Sequence, residues 1–272
     1  MNYTIKISDF DRSSDCLPQE IEFIINGVRF VMKAVVGGSF MMGSQHTNVN
    51  DSNYDPKSFD WEGPVHSVTI DSYYIGETLI TQALWKTVMG DCPMPNNHKW
   101  NEKDGLGDDF PAYCISYFDF EEFVKTLNSI PEIQKAGILF RMPTEAEWEF
   151  ACRGGLNSKG LRFSGSDKVE DVAWFDYISN GRTHVVKDKL PNELGLYDMS
   201  GNLFEWCYDW YTLYNTDSLI NPKGPEVALR RVLRGGCWNY SSRNCRSTYR
   251  LNDSPHHADN YYGARLAMSV IK

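Results

Sequence analysis

Aromatic side chains make up 14% of this chain, with 8 Trp, 15 Tyr and 14 Phe, and that load constrains the fold more than any other feature. An indole buries well only where its N–H finds a partner. A chain so rich in rings therefore calls for a core stapled by aromatics, a binding surface, or both. The helical signal also stops near residue 155. Beyond it come short apolar runs, Gly/Asn/Asp turns and more aromatics to the end of the sequence. No stretch has the composition of a domain linker, so 272 residues read as one α+β domain with an irregular C-terminal half.

Punctuation is clear in the first half. Ile21–Ile25, Asn26-Gly27 and Val28–Met32 read as a hairpin closed by a two-residue primed turn. A strand is expected near Gly38–Gly43, a polar loop over 44–63, and a further strand over Val65–Tyr74. Three helices stand out. Thr81 caps 82–89 with Gly90 as the stop, Ser116 caps 117–128, and Thr144 with Glu147 forms a capping box ahead of Trp148.

Several function classes are disfavoured at once. A net charge of −9 has the wrong sign for binding a phosphate backbone, so nucleic acid is not expected as a partner. No apolar run has the length of a membrane span. The 7 cysteines show neither a CxxC nor a zinc spacing. Met1–Phe10 holds no basic cluster followed by an apolar stretch, so a cytoplasmic chain with reduced thiols is the default expectation, with export by another route left open. His46, His66, His98 and His184 are scattered and His256-His257 are adjacent, a pattern that suggests no Ser/His/Asp constellation.

Five segments in one order carry a family resemblance: Gly37–Gly43; Pro64-Val65-His66 leading to Thr81–Trp85; Arg141–Glu149; Gly195–Trp206; and Arg231–Gly236, closed by Gly263-Ala264-Arg265. Together they resemble the formylglycine-generating enzyme, or sulfatase-modifying factor, family. The resemblance implies a single elaborated C-type-lectin-like domain with short strands, about three helices and much irregular structure. It places this domain over 34–272, behind an N-terminal hairpin or extension over 1–33. Arg141, Glu145, Glu147 and Glu149 fall around a capped helix start, where they either build a charge network under the core or cap the helix and face solvent. Trp148, Trp206, Trp210 and Trp238 read as core staples or as ligand platforms.

Active members of that family oxidise a sulfatase cysteine to formylglycine with oxygen and copper(I). The metal is held by two thiolates, one three residues past the third position of a Gly-Gly-Ser motif and one five residues further. Soft thiolates suit copper(I), and hydroxyl or ring oxygens do not replace them. Here the motif is Gly235-Gly236-Cys237, followed by Tyr240 and then Cys245. Counted back from Gly263 through Arg250, the loop is about three residues shorter than in the enzymes, which leaves neither cysteine at its matched place. Cys237 and Cys245 are the alternative pair, eight residues apart, and would make the chain a copper-dependent oxidase. The resemblance also implies a structural calcium, with Asp198 and Glu205 as side-chain ligands and Gly201 and Leu203 as carbonyl donors. The same carboxylates could instead hydrogen-bond within their turn. The family's other calcium loop has no match near Ala173-Trp174.

The last segment suggests binding. Of the 24 residues from Asn239 to Tyr262, 18 are Asn, Tyr, Ser, Thr, Asp, His or Ala. That is a paratope-like mixture, in which Tyr supplies rigid area and the small polar residues adaptable hydrogen bonds. It is similar to the variable proteins of diversity-generating retroelements, where adenine-directed mutagenesis of asparagine codons yields this set. Ala264 is not explained in that way. The expected ligand-binding residues are Trp238, Asn239, Tyr240, Arg243, Tyr249, Asp253, His256, His257, Asp259, Tyr261 and Tyr262, and the expected partner is a protein or a glycan.

Overall fold

The computed structural model describes residues 4–8, 18–93 and 99–270, so Cys16, His98 and the first three residues lie outside it. Among the described residues thirteen strands are distributed over three sheets. The largest runs β1 (Ile5–Ile7), β2 (Glu20–Ile25), β3 (Val28–Val35), β6 (Tyr73–Gly76), β13 (Ala267–Val270) and β7 (Ile138–Arg141), antiparallel throughout. Asn26 and Gly27 both have positive φ, 49° and 86°, as a primed turn requires. The hairpin is tied to the rest through Met32–Val35, which pair with Tyr73–Gly76.

The second sheet orders β11 (Arg250–Asp253), β10 (Arg231–Arg234), β8 (Phe204–Trp210) and β12 (Tyr262–Gly263), with β12 parallel to β8. A third joins β4 (Gly38–Met42), β5 (His66–Ile70) and β9 (Leu219–Ile220). The strand expected over Val65–Tyr74 is thus two strands in two sheets. The chain breaks at Asp71 and Ser72, both exposed, and Asp71 is held by Asn221 rather than by a ladder.

Helices α1 (Gln82–Met89), α2 (Tyr117–Asn128) and α4 (Glu145–Cys152) start where their caps predict. Leu84, Asp119 and Glu147 donate their N–H groups to Thr81, Ser116 and Thr144 respectively. Two short helices were not anticipated, α3 (Pro131–Lys135) and the single turn α5 (Val169–Val172). Propensity and periodicity say little over one turn. Among the described residues no helix is long and apolar enough to cross a membrane.

Rings staple the core as their number demanded. Trp85, Trp148 and Trp206 are fully buried. The Trp206 indole donates to the Ile115 carbonyl (2.7 Å), that of Trp148 to Glu205 (2.6 Å) and that of Trp238 to the Asn260 carbonyl (3.0 Å). Trp210 is half-buried, its ring 3.6 Å from the Arg231 guanidinium.

Around α4 it is the charge network that forms. Arg141 grips Glu147 with two bonds, 2.6 and 2.7 Å, at the surface end. Glu145 and Glu149 are buried, on Arg250 and on Arg234 and Arg153 respectively. A solvent-facing role for these two is excluded. The network sits beneath β10 and β11 and so fixes the ground on which the C-terminal segment stands.

Candidate functional site

The segment from Cys237 to Tyr262 leaves the second sheet after β10 and returns to it in β11 and β12. Between them a 3-10 turn over Ser242–Cys245 reverses the chain. Gly236 makes this reversal possible: its φ is +78°, and a Cβ there would lie 2.9 Å from both the Cys245 Cα and Sγ. Two arginines then pin the segment from below. Arg246 pairs with Glu62 and Arg250 with Glu145, all four side chains being nearly sealed from solvent. Arg243 also lies down, its guanidinium 3.4 Å from the Phe59 ring centroid and its Nε donating to the Lys57 carbonyl (2.7 Å).

The expected binding residues divide by depth. Asn239, Arg243, His256 and His257 are exposed, and Tyr240, Asp253, Asp259 and Tyr261 are half-buried. Trp238, Tyr249 and Tyr262 are buried, which corrects their placement on the face: their rings form its floor. Phe204 packs edge-on against Tyr240 (5.1 Å) and Tyr262 (6.4 Å), and Tyr261 stands 4.7 Å from Tyr262 and 5.8 Å from Tyr240. Asp253 accepts from the Tyr262 hydroxyl and from His257 Nδ1, both at 2.6 Å. Burial alone would raise that carboxyl, but these bonds outweigh it and hold it below the ordinary range. The face is therefore preorganised, with its rings and its carboxylate already locked.

Cys245 packs against Gly236, whose side chain would strike its sulfur, and Cys237 is the residue after Gly236. Both thiols are buried, and desolvation pushes each above the ordinary thiol range. Cys237 Sγ is also engaged, donating to Asn239 Oδ1 at 2.9 Å. Counted forward from Gly235, Cys245 takes the second of the two metal-binding positions and Tyr240 the first, a different register from the backward count.

The expected calcium donors do not make a cation site as arranged. Both oxygens of Glu205 are taken by Arg265 (2.8–3.1 Å) and by the Trp148 indole. A cation there would sit against a buried guanidinium. Asp198 accepts from the Lys187 N–H (3.0 Å) and from Asn202 Nδ2 (3.3 Å), and burial pushes its carboxyl up to about 6. Gly201 donates its N–H to the Gly235 carbonyl (2.8 Å), and Leu203 buries its side chain in the core. Among the described residues no cluster of three or more His, Cys, Asp or Glu side chains is disposed to hold a metal.

One constellation escaped the sequence. His46 lies 3.4 Å from Ser58 Oγ through Nδ1 and 3.5 Å from Asp60 through Nε2, beside a cavity of about 550 Å³ lined by Met41, Phe59 and Pro64. Its exposure runs opposite to a hydrolytic triad: Ser58 is buried and the Asp60 side chain is 93% exposed. Only the polar character of the 44–63 loop was legible beforehand.

Comparison with known proteins agrees with the residue-level resemblance. Residues 30–270 match the sulfatase-modifying factor enzyme 1-like domain. The chain is 39% identical over 258 residues to the protein named serine/threonine-protein kinase Pkn1 of Chlamydia trachomatis serovar L2, covering 87% of this chain and 38% of that protein. The chain thus spans well under half of that relative. It is 27% identical to the formylglycine-generating enzyme of Streptomyces coelicolor, over 85% of this chain and 87% of the enzyme. The solved structure of Treponema denticola variable protein 1 superposes with a TM-score of 0.76 at 28% identity, covering 92% of this chain and 99% of that one.

Proposed function

We propose, from the premise that this chain belongs to the sulfatase-modifying factor enzyme 1-like family, that it is a binding member of that family whose Trp238–Tyr262 face engages a protein or glycan partner. The observation that carries the reading is the state of the sulfur site. Tyr240 stands three residues past Gly235-Gly236-Cys237, where the resemblance implies a thiolate, and the Cys237 and Cys245 thiols are buried beneath the loop that forms the face. What the segment offers instead is a locked floor of Trp238, Tyr249 and Tyr262 under a rim of Asn239, Tyr240, Asp259 and Tyr261. Rigid tyrosines beside small polar groups lose little entropy on docking. The likeness to a variable protein supports the idea that this rim is diversified, with the retroelement mechanism as its source.

The test has two arms. Protein loaded with copper(I) under reductant is mixed in air with a Cys-x-Pro-x-Arg peptide, and mass spectrometry follows the cysteine. No aldehyde is expected; aldehyde formed by the parent and lost in Cys245→Ser would make the displaced cysteines a working copper site and end the binding reading. In the second arm, a protein and glycan panel is screened with the parent and with an Asn239→Ala/His256→Ala variant of unchanged melting temperature. Ligands retained by the parent and lost by the variant are the expected result.

A further inference from the structure

The binding face does not stop at the segment that suggested it. Asp176 donates its N–H to the Tyr240 carbonyl (3.0 Å), which sets the loop after α5 against the rim. The next residue, Tyr177, is 86% exposed, the most exposed aromatic side chain among the described residues. Tyr177 follows Asp176, whose carboxylate accepts the Tyr177 N–H (2.7 Å), while Tyr261 bonds to Asp259, and Asp253 and Asp259 both lie close enough to act on Tyr240. The segment's own cations do not balance these charges. Arg246 and Arg250 are spent on buried glutamates, and Arg243 is folded onto Phe59 and the Lys57 carbonyl. His256 packs at a tilt against Phe118 (4.7 Å), and His257 already faces Asp253 and Asp259.

We infer that Asp176 and Tyr177 belong to the binding face, and that this combined surface docks a basic polypeptide segment rich in arginine or lysine. The inference rests on the binding reading above and names its partner. An exposed ring next to a carboxylate receives a guanidinium on its π-face while the carboxylate takes the N–H groups. Two such pairs flanking one tyrosine suit two cationic side chains of an extended partner. Acidic polypeptides and phosphate-bearing ligands meet three carboxylates here, Asp176, Asp253 and Asp259, and are repelled.

Fluorescence anisotropy with a labelled Arg-Gly-Ser repeat peptide tests this, with Glu-Gly-Ser and Gly-Ser repeats as comparisons. The arginine peptide should bind, and more weakly at high salt. Asp176→Asn should weaken binding about threefold and Tyr177→Ala about tenfold, without a change in melting temperature. Because the whole chain carries −9, an Asp217→Asn/Glu226→Gln variant on the 211–230 loop measures bulk attraction. If that variant loses as much affinity as the face variants, the proposal is overturned. Binding that falls with Asn239→Ala/His256→Ala but not with Asp176→Asn or Tyr177→Ala leaves the face standing and removes this extension of it. Equal binding of the Gly-Ser peptide, or a neutral glycan displacing the arginine peptide more strongly than it rebinds, overturns the basic partner. Indifference to every face variant sinks both readings.

Discussion

Replacing Arg246 with Met removes the cation under the middle of the 237–262 segment while keeping most of the side chain's volume. Arg246 is 1% exposed, and Glu62, which it grips through both Nη atoms, is fully buried. Truncating one partner of such a pair costs about 3–5 kcal/mol, because the other charge stays behind in the dry interior. Glu62 would keep three neutral donors, from Thr248 (2.7 Å), Ser44 (3.0 Å) and the Phe59 N–H (3.0 Å). They place the loss at the lower end, about 3 kcal/mol. For a chain of this size that is a fall of about 6–10 °C in melting temperature. Urea titration and thermal melts of Arg246→Met, Glu62→Leu and the double variant complete the cycle. The double variant should recover at least half of the single loss, since two buried charges leave together. A loss below about 1 kcal/mol, or single losses that simply add, would refute the idea that this pair anchors the segment.

Other outcomes follow from the same geometry. Chelator and added calcium should leave the melting temperature unchanged within about 1 °C, since Glu205 is committed to Arg265; a calcium-dependent rise of several degrees would restore the family's metal to this loop. Asp198 has a folded-state value of about 6, above its unfolded value, so its contribution is complete below about pH 4 and is lost as pH rises through 6. Asp198→Asn, at a φ of +57° that asparagine accepts, should flatten the stability difference between pH 4 and pH 7 by about 3 kcal/mol, read from urea midpoints against the parent. If the segment is diversified, sequencing this locus across a population should place substitutions at exposed Asn239, Ser241, His256 and His257 and spare buried Arg246 and Arg250. Variation spread equally over both sets would contradict the division of depth described above.

What was legible beforehand was whatever short-range chemistry encodes. Thr81, Ser116 and Thr144 announce helices because a cap and its N–H partner are three residues apart. Asn26-Gly27 announces a turn because few residues tolerate its dihedrals. The split of Val65–Tyr74 was hidden, because alternation continues on both sides of Asp71 while the partners that separate the two strands, β4 and β13, lie elsewhere in the chain. For the same reason the paratope-like composition of 239–262 found the face but could not sort its rim from its floor. Tyr249 and Tyr261 are identical as letters, and one is buried only because Phe59 and Phe204 cover it.

The ion pairs explain how the 237–262 segment can change its surface residues and still hold its shape. Glu62 and Arg246 are 184 residues apart, and Glu145 and Arg250 are 105 apart. Each joins the segment to a different element, one to the 3-10 turn over Asp60–Glu62 and one to α4. Neither pair touches solvent or points at the rim. A substitution at Asn239, His256 or His257 therefore leaves both anchors intact, and the same holds at Tyr240, which rests on Phe204 rather than on the charged layer. Two independent attachments beneath a surface leave the residues above them free to change, because the energy that specifies the backbone does not pass through those residues.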